Sequence, residues 1–226
     1  MSTASELPGL SRACGVLADG GAVVVPNPAP MTYGLVATSP TVVNATKRRP
    51  VQQSVGVSLH SPSEWERVTP GIDLPSTCLD AVLALLRLRL TLLLPFGDGA
   101  GPRWVAPAVQ DGYLAAFNGY WTLTATLWET FPRLYGSSAN VTGEPPAGSA
   151  REATRMFGPD VPVVDADAVR GDQTTRRAST MLRIDRDRGL HLHRAGAQDA
   201  DHAQPEAFLR HLVTTRDLPF HVGAVR

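Results

Sequence analysis

The sequence is short of lysine, of cysteine and of excess charge. Only one of its 21 basic residues is a lysine, Lys47, and the other 20 are arginines. Its two cysteines, Cys14 and Cys78, lack the close spacing of a zinc site or disulfide framework, so a reducing cytoplasm is the expected compartment. Acidic residues also number 21, and the resulting net charge of zero disfavours a strongly basic nucleic-acid-binding protein.

The chain also lacks a long apolar run that is free of charge. The most apolar stretch, residues 79–96, contains Arg87 and Arg89. Two arginines near the centre of a bilayer would cost about 5 to 7 kcal/mol, so this stretch predicts a buried helix and strand rather than a membrane span. The N-terminus has no basic segment followed by an apolar one, which argues against a secretory signal.

Helical and strand-like patterns alternate along the chain and predict an α/β fold. Strands are predicted at residues 22–25, 54–60, 88–94, 134–135, 161–164, 180–184 and 191–193. Helices are predicted at residues 8–18, 41–46, 63–68, 78–86, 121–131, 150–157 and 205–214. His191 and His193 alternate on the last strand, but no third ligand is evident, so we predict an edge strand and no metal site.

Lys47 is a candidate site residue because arginine is used at every other basic position. A compact ammonium suits a phosphate that a planar guanidinium would crowd, although a surface lysine without a role is the alternative. Three loops that follow apolar runs combine cations, hydroxyls and amides, which a polyphosphate requires, at residues 47–49, 137–140 and 177–180. None of these loops is a Walker A or dinucleotide fingerprint.

In this order the loops resemble the YrdC-like family, whose best-known members make threonylcarbamoyl-adenylate from threonine, bicarbonate and ATP. The resemblance spans about residues 8–197, and its most specific part is the Ser-Ala-Asn-Val-Thr-Gly run at residues 138–143. Further matches are Gly20-Gly21, Tyr33-Gly34-Leu35, Lys47-Arg48-Arg49-Pro50, Ser179-Thr180 and Arg194-Ala195-Gly196-Ala197. It implies an α/β domain at residues 1–197, with a twisted mixed sheet, flanking helices and a central cleft. A C-terminal linker and short helix are expected at residues 198–226.

The resemblance implies site roles where the residues match. Lys47 and Arg49 resemble the Lys-x-Arg pair that holds nucleotide phosphates, and they are the expected catalytic residues, acting by position and charge. The other residues expected at the nucleotide are Ser138, Asn140 and Arg194. The residues expected at the amino-acid substrate are Thr32, Tyr33, Ser138 and Ser179. The implied cofactor is ATP, with magnesium.

Two departures from the family pattern predict an altered acceptor pocket. Where the family usually has Pro-Thr-Asp/Glu-Thr-x-Tyr-Gly-Leu, residues 28–35 read Pro-Ala-Pro-Met-Thr-Tyr-Gly-Leu, so hydroxyls and a carboxylate are lost. The strand that usually carries an arginine for the amino-acid carboxylate aligns near residues 115–118, which contain none. An ordinary threonine pocket would require another residue, such as Arg103 or Asn118, to contact the carboxylate.

The leading hypothesis is nucleotide-dependent carbamoyl-adenylate formation or carbamoyl transfer with an altered acceptor pocket. Such an enzyme would serve specialised metabolism. Its partners would be a small-molecule acceptor and either bicarbonate or a carbamoyl donor, with no membrane association. One alternative is an ordinary L-threonylcarbamoyl-adenylate synthase for tRNA modification. Another is a non-catalytic module that binds nucleotide or RNA, although zero net charge disfavours RNA.

Overall fold

The computed structural model describes residues 6–171 and 175–223. The helices in these ranges are α1 Leu10–Ala18, α2 Pro40–Thr46, α3 Pro62–Val68, α4 Leu79–Arg87, α5 Ala125–Thr130, α6 Ala150–Phe157, α7 Asp167–Arg170 and α8 Pro205–Thr215. The strands are β1 Ala22–Val25, β2 Gly34–Ala37, β3 Gly56–Ser58, β4 Thr91–Pro95, β5 Val109–Gln110, β6 Tyr113–Phe117, β7 Tyr135–Ser138, β8 Met181–Ile184, β9 Gly189–Arg194 and β10 His221–Val222. Across the described residues, no helix has the length and apolar character needed to cross a bilayer.

The chain forms two compact units, and the first comprises residues 1–55 and 119–178. In this unit β1 pairs with β2 and β2 pairs with β7, both antiparallel. All four residues of β1 are buried, as expected for an uninterrupted apolar run of alanine and β-branched valines. Helix α1 packs on β1, and α2 packs on β2 and β7.

The second unit comprises residues 56–118 and 179–226. Its strands follow the order β3-β6-β4-β8-β9-β10, and β5 also pairs with β6. The β3–β6 and β4–β8 pairs are parallel, whereas β4–β6 and β8–β9 are antiparallel. Leu92 and Leu94 of β4 are fully buried in its core. The presence of parallel and antiparallel strand pairs together with helices confirms the predicted α/β class with a mixed sheet.

Most predicted elements are confirmed, and two predicted strands are shorter than expected. The strand predicted at residues 88–94 begins later, at Thr91, because Leu88 caps α4 and Arg89 takes a φ of 61° that breaks the extended run. The strand predicted at residues 161–164 is reduced to one bridge between Val163 and Val24. The pattern of residues 113–117 did not by itself predict β6, although the family resemblance placed a strand near this position.

The C-terminal elements belong to the second unit. Helix α8 packs on β9 and β10, and β10 pairs with β9 only at Gly189 and Leu190. Residues 191–193 therefore have only β8 as a strand partner within the part of the chain that the structure describes. The imidazole Nε2 of His191 lies 2.8 Å from Asp185 Oδ2. The predicted domain boundary at residue 197 stays a prediction.

Candidate functional site

Lys47 is buried at the C-terminal end of α2 in the first unit. It is 3% exposed, and its Nζ donates to the carbonyl of Ser138 at 2.6 Å and to that of Asn140 at 2.7 Å. Nζ also donates to Asn140 Oδ1 at 2.8 Å. Since an ammonium has three N–H groups, all of them are used. The sole lysine therefore ties the end of α2 to the loop that follows β7.

The loop after β7 also donates hydrogen bonds to the backbone of Lys47. The backbone N–H and the hydroxyl of Thr142 both donate to the carbonyl of Lys47, at 3.1 and 3.0 Å. Within the loop, Ser138 Oγ donates to Asn140 Oδ1 at 2.6 Å, and Asn140 Nδ2 donates to the Glu144 carbonyl at 2.8 Å. We call Lys47, Ser138, Asn140 and Thr142 the Lys47 brace. The structure thus brings together three of the predicted nucleotide residues.

The environment of Lys47 acts on its proton in two opposing ways. Burial, and secondly the positive charge of Arg49, lower the pKa of Lys47 from 10.5 to about 7. The three oxygen acceptors oppose this shift, because a neutral amine can donate to only two of them. With burial as the larger effect, Lys47 can lose its proton near neutral pH.

Arg49, the second predicted phosphate residue, is held by Asn44. Asn44 is fully buried in α2, and its Nδ2 donates to the carbonyls of Val51 and Gln53 at 2.9 and 2.8 Å. Its Oδ1 accepts from Arg49 Nε at 2.6 Å, and Arg49 Nη2 lies 3.4 Å from the Ser54 carbonyl. Among the described residues, these bonds use two of the five N–H groups of the guanidinium, which leaves donors for an anion.

Thr32 and Tyr33, predicted at the substrate, are both buried in the first unit. The Tyr33 hydroxyl donates to Asp167 Oδ1 at 2.8 Å and accepts from the Ala166 N–H at 3.2 Å. Burial is the main reason that the pKa of Tyr33 is raised to about 12. The backbone N–H of Thr32 donates to the Arg177 carbonyl at 2.9 Å. The Tyr33 hydroxyl is therefore engaged by the protein itself.

Arg170 is a buried cation that the sequence analysis missed. Its guanidinium carbon lies 4.3 Å from the centroid of the Tyr33 ring, and its Nη1 donates to the Gly148 carbonyl at 3.1 Å. Its Nη2 donates to the carbonyl of Met31, one of the positions that depart from the family pattern. Burial lowers the pKa of Arg170. The one available signal was Asp167 three residues earlier, at the spacing of a helical ion pair.

Ser179 and Arg194 belong to the second unit. The hydroxyls of Ser179 and Thr91 are 2.7 Å apart, and Arg194 Nη2 donates to the Ser179 carbonyl at 3.1 Å. The structure therefore brings these two predicted residues together in this unit. That they share a cleft with Lys47 stays a prediction.

The acceptor positions are distributed over both units. Met31 is 5% exposed in the first unit, and the segment near Ala115 forms β6 in the second, where it pairs with β4. Within the described residues, no three His, Cys, Asp or Glu side chains are grouped so as to hold a metal ion.

Comparison with solved structures finds the same fold in proteins of low sequence identity. P. abyssi Sua5 complexed with L-threonine aligns with a TM-score of 0.56 and 21% identity, covering 77% of this chain and 50% of that one. E. coli YciO aligns with a TM-score of 0.59 and 14% identity, covering 85% of this chain and 91% of YciO. Full-length HypF in its phosphate- and nucleotide-bound form aligns with a TM-score of 0.64 and 16% identity, covering 85% of this chain and 29% of HypF.

The chain thus spans half the length of that Sua5 structure and 60% of a second P. abyssi Sua5 variant. No curated protein matches the sequence significantly. The Sua5/YciO/YrdC family model, described as telomere recombination, matches residues 15–196. Because this match covers most of the chain, the protein belongs to the Sua5/YciO/YrdC family.

Proposed function

We propose that this chain uses ATP to form a carbamoyl-adenylate or to transfer a carbamoyl group. The observation that carries the proposal is the arrangement of Arg49 next to the Lys47 brace in the first unit. Asn44 fixes Arg49 through its Nε and leaves the outer part of the guanidinium for an anion. The match to the family model over residues 15–196 supports the same assignment.

In this proposal Arg49 contacts the phosphates and Lys47 positions the loop. A guanidinium can bind a phosphate through two parallel hydrogen bonds, and a fixed cation stabilises the charge that develops on a pyrophosphate leaving group. The three N–H groups of Lys47 are occupied by Ser138 and Asn140, so Lys47 makes no direct contact with ATP in this proposal. ATP would enter as its magnesium complex, since Mg²⁺ is commonly bound through substrate phosphates.

We further propose that the acceptor differs from free threonine. Met31 stands where the family has a hydroxyl-bearing residue, and residues 115–118 contain no arginine. Arg170 lies near Met31, but its side chain is fully buried and bonded to backbone carbonyls. The structures of Sua5 with L-threonine and of HypF with phosphate and nucleotide support small-molecule substrates as the general class.

A second candidate is a non-catalytic nucleotide-binding protein. The specific observation in its favour is that the N–H groups of Lys47 all bond to protein oxygens, so none is directed to a ligand. Pyrophosphate release from ATP with bicarbonate and a panel of amine acceptors separates the two functions. Release with any acceptor supports the enzyme, and ATP binding without release supports the binding protein.

Calorimetric titration with magnesium-ATP tests the nucleotide site itself. Arg49→Gln should weaken ATP binding roughly tenfold or more, because a charge-assisted contact is lost. Arg12→Gln is the matched control, since Arg12 also lies in the first unit and donates to a carbonyl, that of Pro159. Equal affinity of the wild type and the Arg49 variant would contradict the assignment.

A further inference from the structure

A groove of about 990 Å³ lies entirely within the first unit. Its wall combines the segment that follows the Lys47 brace, the first turns of α6 and residues near Gly171. This volume lies at the upper end of the roughly 300–1,000 Å³ typical of small-molecule sites. The described lining includes neither Lys47 nor Arg49, but it includes Arg48 between them and Val141 beside Asn140, so the groove lies next to the residues assigned to ATP.

The cations of the groove are all arginines: Arg48, Arg151, Arg155 and Arg176. Three carboxylates, those of Glu144, Glu152 and Asp167, also line it. Two of these already serve the backbone, because Glu152 accepts from the Gly148 N–H at 2.7 Å and Asp167 accepts from the Ala150 N–H at 2.9 Å. Asp167 also accepts from the Tyr33 hydroxyl. The groove therefore carries four guanidinium charges against three carboxylate charges, and two of the carboxylates are positioned by these hydrogen bonds.

The arginine side chains are largely unused within the protein. Among the described residues, the guanidinium groups of Arg48, Arg151 and Arg155 make no hydrogen bond or ion pair. Arg176 donates through Nη2 to the Gly171 carbonyl at 2.6 Å, whereas its Nη1 is buried and has no partner in the described part of the chain. A buried donor without a partner is costly and rare in folded proteins, and a bound anion would supply the missing acceptor.

Three of these arginines occupy positions that work against local stability. Arg48 follows the C-cap of α2 with a φ of 54°, a conformation that glycine adopts without steric cost. Arg151 and Arg155 lie four residues apart on α6, where like charges repel across one helical turn. Their convergence on one groove offsets these costs when an anion is present.

We propose that this groove binds a phosphorylated small molecule. Guanidinium groups suit phosphate because their planar N–H groups match its oxygens in pairs. The lining also includes the apolar surfaces of Pro145, Pro146 and Met156. These surfaces would contact an organic part of the ligand, so an organic phosphate should bind more tightly than inorganic phosphate.

Calorimetric titration of the full chain with phenyl phosphate and with inorganic phosphate tests this proposal. Phenyl phosphate should bind more tightly, and Arg151→Gln combined with Arg155→Gln should weaken its binding roughly tenfold or more. Arg210→Gln is the matched control, because Arg210 is an exposed arginine on α8 and is not among the lining residues. No binding by the wild type, or equal binding by the double variant, would overturn the proposal.

Two further variants distinguish binding in the groove from loss of folding and from binding at the nucleotide site. Arg48→Gly should raise the melting temperature, because it relieves the backbone at this position, and should weaken phenyl phosphate binding. A loss of affinity in a more stable protein cannot result from unfolding, whereas unchanged affinity would contradict a role for Arg48. Arg49→Gln should leave phenyl phosphate binding intact, and a loss there would assign the binding to the nucleotide site instead.

Discussion

At the scale of single residues, Lys47 is both the only lysine and one of the most enclosed charged groups of the first unit. Its uniqueness permits a direct measurement, because a protein labelled with ¹³C-lysine gives one Cε signal that needs no assignment. We expect this signal to titrate with a midpoint near pH 7, since burial lowers the pKa of Lys47 to about 7. A midpoint at or above 10.5 would mean that the three oxygen acceptors outweigh burial.

The same shift in the pKa of Lys47 predicts how stability depends on pH. Between about pH 7 and 10.5 the unfolded chain binds more protons at Lys47 than the folded chain does. The free energy of unfolding contributed by this residue should therefore rise with pH across this window, while below pH 7 the cost of burying the charge is fully present. Urea unfolding of Lys47→Met should lack this rise.

Asn44 is expected to act on ATP binding through Arg49. Asn44→Ala removes the acceptor that holds Arg49 Nε and leaves the carbonyls of Val51 and Gln53 without their donor, which should cost about 1 to 3 kcal/mol of unfolding free energy. ATP affinity should fall as well, because Arg49 is no longer fixed. Urea unfolding and calorimetric titration measure the two effects.

Asn27→Ala is the matched control for Asn44→Ala. Asn27 also donates through Nδ2 to a carbonyl, that of Thr32 at 2.8 Å, but the structure gives it no contact with Arg49. The Asn27→Ala variant should be less stable than the wild type and should keep the wild-type affinity for ATP. If both variants lose affinity equally, Asn44 has only a structural role.

At the scale of elements, α6 has a specific start that α3 lacks. The hydroxyl of Ser149, the N-cap of α6, accepts from the Glu152 N–H at 3.2 Å. Ser61 is the N-cap of α3, but its hydroxyl contacts Ser63 Oγ and makes no capping bond. Ser149→Ala should therefore lower the unfolding free energy by about 1 kcal/mol and Ser61→Ala by much less, as measured by urea unfolding. Equal losses would mean that the capping bond contributes nothing measurable.

The elements that could be predicted from the sequence are those whose residues favour the observed helix or strand and whose apolar pattern matches the observed burial. The valine run of β1 and the helix α6 were predicted at the correct positions. Residues 161–164 are equally apolar, yet only Val163 finds a strand partner, which depends on where Val24 lies in the fold. Short elements such as α7 contain too few residues for a helical period to be visible.

At the scale of the whole molecule, the sequence suggests candidate site residues but does not predict their contacts. Lys47 was singled out by composition and by the Lys-x-Arg pattern, and the structure places it against Ser138 and Asn140. The sequence could not indicate that protein oxygens accept from all three N–H groups of Lys47, because these oxygens lie in a loop that begins 91 residues away. Each compact unit likewise combines two separate chain segments, and no linker-like composition marks where they join.

At the scale of the whole protein, we expect free threonine to be a poor acceptor, an expectation that rests on the proposed function. Pyrophosphate release from ATP with bicarbonate and free threonine should be much slower than that of an ordinary threonylcarbamoyl-adenylate synthase at equal enzyme concentration. The reason is that Met31 replaces a polar contact and residues 115–118 supply no arginine, so a desolvated carboxylate would remain partly unpaired. Such a group costs about 1 to 3 kcal/mol, which corresponds to roughly fivefold to 150-fold in rate.

Two variants show whether the missing arginine is responsible. Ala115→Arg, in the segment that aligns with the family's arginine-bearing strand, should increase the rate with threonine and should not increase the rate with an acceptor that has no carboxylate. Arg103→Gln tests whether Arg103, which is exposed in the second unit, already supplies the contact. A rate with threonine that equals that of the ordinary synthase, and that falls in Arg103→Gln, would show that the carboxylate contact has moved to Arg103. In that case the acceptor is threonine after all.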